Sequence, residues 1–118
     1  MADRKLIVLE NGRITARGMP FADGWHYLWM HEDDVLKVTV DWNDWLGTDT
    51  ISTSTFTSDG TAGINTSSST TTEATVTLAG EDGLSEIENK ITTANGLTKV
   101  LRFRTRNREK AVEDYPTR

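Results

Sequence analysis

The feature that most constrains this chain is a rhythm of short runs in which apolar and polar residues alternate, cut repeatedly by turn-forming residues. Leu36, Val38 and Val40 alternate with Lys37, Thr39 and Asp41, the period of two that turns one face of a strand to a core and the other to water. Residues 35–42 are therefore expected to form a strand. Residues 51–57 continue the theme with Ile51, Phe56 and β-branched threonines, which favour a strand over a helix. Residues 61–72 (TAGINTSSSTTT) read as low complexity, yet Thr forms strands, and a strand is expected over 71–78 with Ala74, Val76 and Leu78 on one face.

The clearest hairpin lies further on. Over residues 86–93, Ile87, Asn89 and Ile91 alternate with Glu88, Lys90 and Thr92; Ala94-Asn95-Gly96 follows, and residues 98–105 return with Leu101 and Phe103 opposed to Arg102 and Arg104. Asn-Gly between two such runs predicts a tight turn in which both central residues take positive φ. The same signal, Asn11-Gly12, separates residues 5–10 from 13–17 and predicts a second hairpin near the N-terminus. Gly18-Met19-Pro20 then breaks the pattern, and an aromatic cluster follows: Trp25, His26, Tyr27 and Trp29. Residues 107–118 carry no sustained period and are expected as a short helix over 108–114 or an extended tail.

Several short strands with no helix between them point to an all-β sandwich or small barrel. The organisation expected is an N-terminal hairpin arm with an aromatic docking segment over 1–32, a sandwich over 33–106, and a C-terminal tail over 107–118. A chain of 118 residues has the length of one domain. Only 36% of its residues are apolar, so part of its surface is expected to be covered by neighbours, in a homo-oligomer or a docked state.

Composition also excludes functions. The chain has no cysteine, which removes disulfides, thiolate nucleophiles and cysteine-based metal sites. Its formal charge is −5 and its pI about 4.9, an unfavourable balance for holding a phosphate backbone. Direct nucleic-acid binding is not expected. No run approaches the roughly 18–20 apolar residues of a membrane span, and the N-terminus lacks the apolar core of a signal peptide. Synthesis in a cytosol, with no membrane partner, is the expectation.

Chemistry finds little foothold. His26 and His31 stand five apart, a spacing that puts them on opposite faces of a strand, so with Glu32, Asp33 or Asp34 they make a poor metal pair. Glu32-Asp33-Asp34, with Asp41, Asp44 and Asp49 downstream, supplies oxygen ligands for calcium but lacks the spacing of an EF-hand loop; a solvated acidic turn is the ordinary reading. No phosphate loop, Gly-x-Ser-x-Gly elbow or His-Glu-x-x-His motif occurs. Neither catalysis nor a cofactor is expected.

Two groups of residues remain to be explained. Arg102, Arg104 and Arg106 share one face of a strand and form a cationic stripe on an acidic molecule. Such a stripe can bind nucleic acid, pair with cross-strand acids such as Glu86 and Glu88, or meet a neighbouring subunit. Trp25, Tyr27 and Trp29, two apart, line one side of an extended segment. They can pack on the chain's own sandwich, stack on sugar rings, or anchor a partner protein. The core is expected from Leu36, Val38, Val40, Trp42, Val76, Ile91 and Phe103.

One set of motifs goes further. The block Val40-Asp41-Trp42-Asn43-Asp44-Trp45-Leu46, the strand starting Asp49-Thr50-Ile51-Ser52, and the hairpin Asn89-Lys90-Ile91-Thr92-Thr93-Ala94-Asn95-Gly96, in that order, resemble small virion proteins of tailed bacteriophages described as fibre-tail adaptors or neck and tail accessory proteins. The resemblance covers residues 33–106. It implies an immunoglobulin-like β-sandwich that serves as a structural connector without an active site, resident in the virion at the neck, tail or fibre base. Its partners would be other virion proteins and further copies of itself, in a ring. Residues 1–32 and 107–118 lie outside the resemblance and are expected to specify the partner, with Trp25, Tyr27 and Trp29 docking on a neighbouring virion protein. A glycan- or host-surface-binding module displayed on the particle is the competing reading.

Overall fold

A computed structural model describes residues 4–30, 34–60, 62–80 and 84–107. In chain order the described elements are β1 (Arg4–Val8), β2 (Ile14–Arg17), β3 (Phe21–Ala22), β4 (Trp25–Met30), β5 (Val35–Asp41), α1 (Asn43–Leu46), β6 (Ile51–Asp59), β7 (Gly63–Ser69), β8 (Glu73–Ala79), β9 (Leu84–Thr93) and β10 (Thr98–Asn107). They assemble into two five-stranded sheets, β2-β1-β5-β8-β7 and β3-β4-β10-β9-β6. The all-β sandwich expected from alternation is the fold.

The inner faces of the sheets carry the alternating apolar residues. Val38 and Val40 on β5, Ala74, Val76 and Leu78 on β8, Ile87 and Ile91 on β9, and Leu101 and Phe103 on β10 are all buried in one cluster. Trp42, just past β5, is buried with them, whereas Leu36 is only partly covered and packs against the cluster. Polar residues share the interior where their partners come with them. Asn89 on β9 is fully buried: its Oδ1 accepts from Trp42 Nε1 at 2.9 Å, and its Nδ2 donates to Ser54 Oγ at 3.0 Å and to the Thr55 carbonyl at 3.1 Å. The side chain that breaks the apolar alternation of β9 thus ties the turn after β5 to the opposite sheet.

Residues 4–30 do not form an arm outside the sandwich. β1 pairs in parallel with β5, Leu6 opposite Val40, and β4 pairs in parallel with β10, Leu28 opposite Thr105. Leu6, Val8, Leu28 and Met30 join the core. Few as these apolar residues are, their spacing of two lets them cover the flank of each sheet, and parallel pairing to β5 and β10 leaves no local trace in the sequence. Met19, buried between β2 and β3, joins the two flanks.

Three further differences from the expectation have local causes. An additional strand, β7, lies within residues 61–72; its outer residues are exposed, so no apolar alternation announces it, and its hydrogen-bonded register with β8 holds it. The two Asn-Gly hairpins have three-residue loops: Gly12 N donates to Leu9 O at 2.8 Å and Gly96 N to Thr93 O at 2.9 Å, and only the glycines take positive φ, +88° and +89°. The two-residue turn with both centres at positive φ is instead Asp23-Gly24, at +55° and +85°, between β3 and β4. Between β5 and β6 the chain makes one helical turn, α1, where Leu46 N donates to Trp42 O at 2.9 Å. His31, Glu32, Asp33 and the tail helix over 108–114 lie outside the described residues.

An aromatic and arginine face on the second sheet

The outward face of β3-β4-β10-β9-β6 brings together the two residue groups that the sequence left unassigned. On β4, Leu28 and Met30 turn inward, which sends Trp25, Tyr27 and Trp29 outward. On β10, Leu101, Phe103 and Thr105 are buried, which sends Arg102, Arg104 and Arg106 to that same face. Parallel pairing of the two strands sets Arg104 opposite Tyr27 and Arg106 opposite Trp29. On its other side β10 meets β9, with Arg102 opposite Glu88 and Arg104 opposite Glu86.

The three arginines are used differently. Arg102 is neutralised within the sheet: its Nε lies 3.6 Å from Glu86 and its Nη2 3.2 Å from Glu88, the cross-strand pairing expected from the sequence. Arg104 has Glu86 as its register partner but lies over the Trp25 ring, 3.9 Å from its centre. Arg106 lies over Trp29 at 5.5 Å. Tyr27 stacks on Trp29, ring centres 5.9 Å apart, and is 5% exposed. The reachable surface is therefore made of the two partly buried tryptophans and the arginines, with Tyr27 as its floor. Among the described residues neither Arg104 nor Arg106 forms an ion pair.

One end of this face opens into a cleft of about 420 Å³ between the β1–β2 and β3–β4 turns, lined by Arg13, Ile14, Phe21, Trp25, His26 and Arg102. Phe21 is 64% exposed and packs on the His26 ring at 4.8 Å. Partial burial holds the His26 imidazole below its ordinary pKa, so it is neutral near pH 7. Elsewhere, Asp41 pairs with Lys5 at 3.7 Å. Asp49 Oδ1 accepts from Thr50 N at 2.8 Å and Asn95 N at 3.3 Å. The Thr93 hydroxyl first, and these amides after it, hold the Asp49 carboxyl below the usual carboxylate range. Among the described residues no group of three or more His, Asp and Glu side chains is placed to hold a metal ion.

These features define a class: a β-sandwich protein whose chemically distinctive surface is a sheet face on which two arginines lie over tryptophans. The family model described as podophage GP4 fiber-tail adaptor protein gp77 matches residues 30–106, well over half of the 118 residues. The chain belongs to that family and is a structural bacteriophage protein of the fibre-tail adaptor class. A search of curated proteins finds no match.

Proposed function

We propose that the chain acts in many copies as a non-enzymatic connector between fibre and tail. In this reading an immunoglobulin-like sandwich is the rigid unit that tiles into a ring, and the face carrying Trp25, Trp29, Arg102, Arg104 and Arg106 docks on a neighbouring virion protein. The observation that carries the reading is this face itself, in a member of an adaptor family: stacked aromatic and guanidinium groups stand outward from the core, where Trp and Arg are the residues that most often dominate protein interfaces. The competing glycan reading requires an open tryptophan face for a sugar ring, and Arg104 already covers one face of Trp25.

The test is assembly of particles carrying Trp25→Thr with Trp29→Thr in the full chain. Deleting residues 1–30 would not serve, because β1 and β4 complete the core. Quantitative mass spectrometry of purified particles should show several copies of the normal chain and loss of the variant or of the fibres, with the variant's melting temperature little changed. Normal copy number and normal fibre content would refute the docking role, and a single copy per particle would refute the ring.

A further inference from the structure

Resting on the docking reading above, we infer that this face receives an extended segment of a second virion protein that carries carboxylates at alternate positions. The choice made by Arg104 is the first ground. A carboxylate, Glu86, stands directly across from it in register, yet its guanidinium lies on Trp25 and leaves Glu86 to Arg102. A guanidinium held over an aromatic ring keeps N–H donors with which it can grip a carboxylate through two parallel hydrogen bonds. Arg106 lies over Trp29 at the longer distance of 5.5 Å.

Spacing and charge are the second ground. Arg104 and Arg106 are two residues apart on one strand, so their bases stand about 6.6–6.8 Å from each other. That is the repeat of alternate side chains on a partner chain laid along β10. β4 carries no carboxylate and neither Arg104 nor Arg106 forms an ion pair among the described residues, so an acidic segment meets unneutralised positive charge on this half of the sheet. Towards β9 and β6 the same face carries Glu86 and Glu88, which share Arg102, Asp59 opposite Glu86, and Lys90 opposite Thr55 and Val100. Three carboxylates against two cations there make the β4–β10 half the more favourable one for an acidic segment.

The test uses the isotope-labelled full chain and two peptides of equal composition, one alternating Glu-Thr four times and one with four Glu followed by four Thr. Titration is followed at the indole N–H signals, with Trp42, buried on the inner side, as the internal control. The alternating peptide should bind at least threefold tighter and move the Trp25 and Trp29 signals but not that of Trp42. Arg104→Gln with Arg106→Gln should weaken it about tenfold, and the corresponding Lys pair, which keeps charge but not the fork, should fall between. If the Gln pair unfolds, the Lys pair carries the comparison. Equal affinity for the two peptides, unchanged binding by the variants, or tighter binding of an eight-nucleotide oligothymidylate would overturn the inference. Particle incorporation separates the two levels: an incorporation defect of the Gln pair without peptide binding leaves the docking reading and overturns this one, whereas peptide binding with normal incorporation overturns the docking reading.

Discussion

Asn89→Ala should cost the fold about 3 kcal/mol, and the hydrogen bonds of this side chain say why. The substitution removes three of them, to Trp42 Nε1, Ser54 Oγ and the Thr55 carbonyl, each worth about 1 kcal/mol net. Ser54 is near enough to water to recover. The Trp42 indole N–H is fully buried and left with no acceptor, at a cost of about 1–3 kcal/mol. With a urea dependence of about 1.5 kcal/mol per molar for a domain of this size, the midpoint should fall by about 2 M when unfolding is followed by far-ultraviolet circular dichroism. Trp42→Phe removes the donor from the other side, so the two substitutions should couple by about 1–2 kcal/mol in a double-mutant cycle. Asn89→Asp keeps the acceptor for Trp42 but presents a buried charge to the Thr55 carbonyl, so it should be worse than Ala and recover partly in acid. A loss below about 1 kcal/mol for Asn89→Ala, or additivity of the Trp42 and Asn89 changes within about 0.5 kcal/mol, would refute the claim that this network joins the sheets.

Two further tests probe close contacts. A Cβ at Gly60 would lie 2.5 Å from Ser85 Oγ and 2.8 Å from Ser85 Cα; since Ser85 Oγ also accepts from Ala62 N, Gly60→Ala should destabilise by about 1–3 kcal/mol, read as a lowered urea midpoint. Asp49 has a carboxyl pKa lowered in the folded state, so its stabilisation is present above the unfolded-state value near pH 4 and lost as pH falls through the folded value. The stability difference between the normal chain and Asp49→Asn should therefore shrink on acidification below about pH 4, and a difference that is flat between pH 6 and pH 2 would contradict the assigned role.

What could be read in the sequence was whatever repeats locally. Alternation at Leu36, Val38 and Val40, and at Ile87, Asn89 and Ile91, gives both the strands and their inward faces, and even puts Asn89 inside. It does not say why an amide belongs there, because the answer is an indole donor 47 positions away. β7 has no apolar alternation to read, since only its register with β8 makes it a strand. Asp23-Gly24 carries the same kind of turn signal as the Asn-Gly pairs and makes the tighter turn. At the candidate site, the spacing of Trp25, Tyr27 and Trp29 and of Arg102, Arg104 and Arg106 gave two separate stripes. Their merging into one face depends on a parallel pairing between strands far apart in the chain. So does the transfer of Arg104 from Glu86 to Trp25, for which no local rule exists.

That pairing also decides what kind of module this is. The family match runs over 30–106 and contains β5 to β9 and all of β10 but Asn107, which supply the arginine half of the face; the tryptophan half comes from β4, nearly all of it outside the match. Without β1 and β4 the remaining strands form two three-stranded sheets, β5-β8-β7 and β10-β9-β6. Val38, Val40 and Phe103 would then be uncovered on one flank, and β5 and β10 would be left as open edges. Leu6, Val8, Leu28 and Met30 are each fully or nearly fully buried, and at about 1.5–3 kcal/mol apiece their loss removes about 6–12 kcal/mol. That is as large as the whole stability of a domain of this size, about 5–15 kcal/mol. A chain of residues 34–107 should therefore fail to give a cooperative unfolding transition and should self-associate through its open edges, as judged by calorimetry and size-exclusion chromatography. A monomeric 34–107 chain that unfolds cooperatively would mean that the N-terminal strands are an addition to a complete sandwich rather than part of it. The docking face would then be divisible, with its arginines belonging to the sandwich and its tryptophans to the added segment.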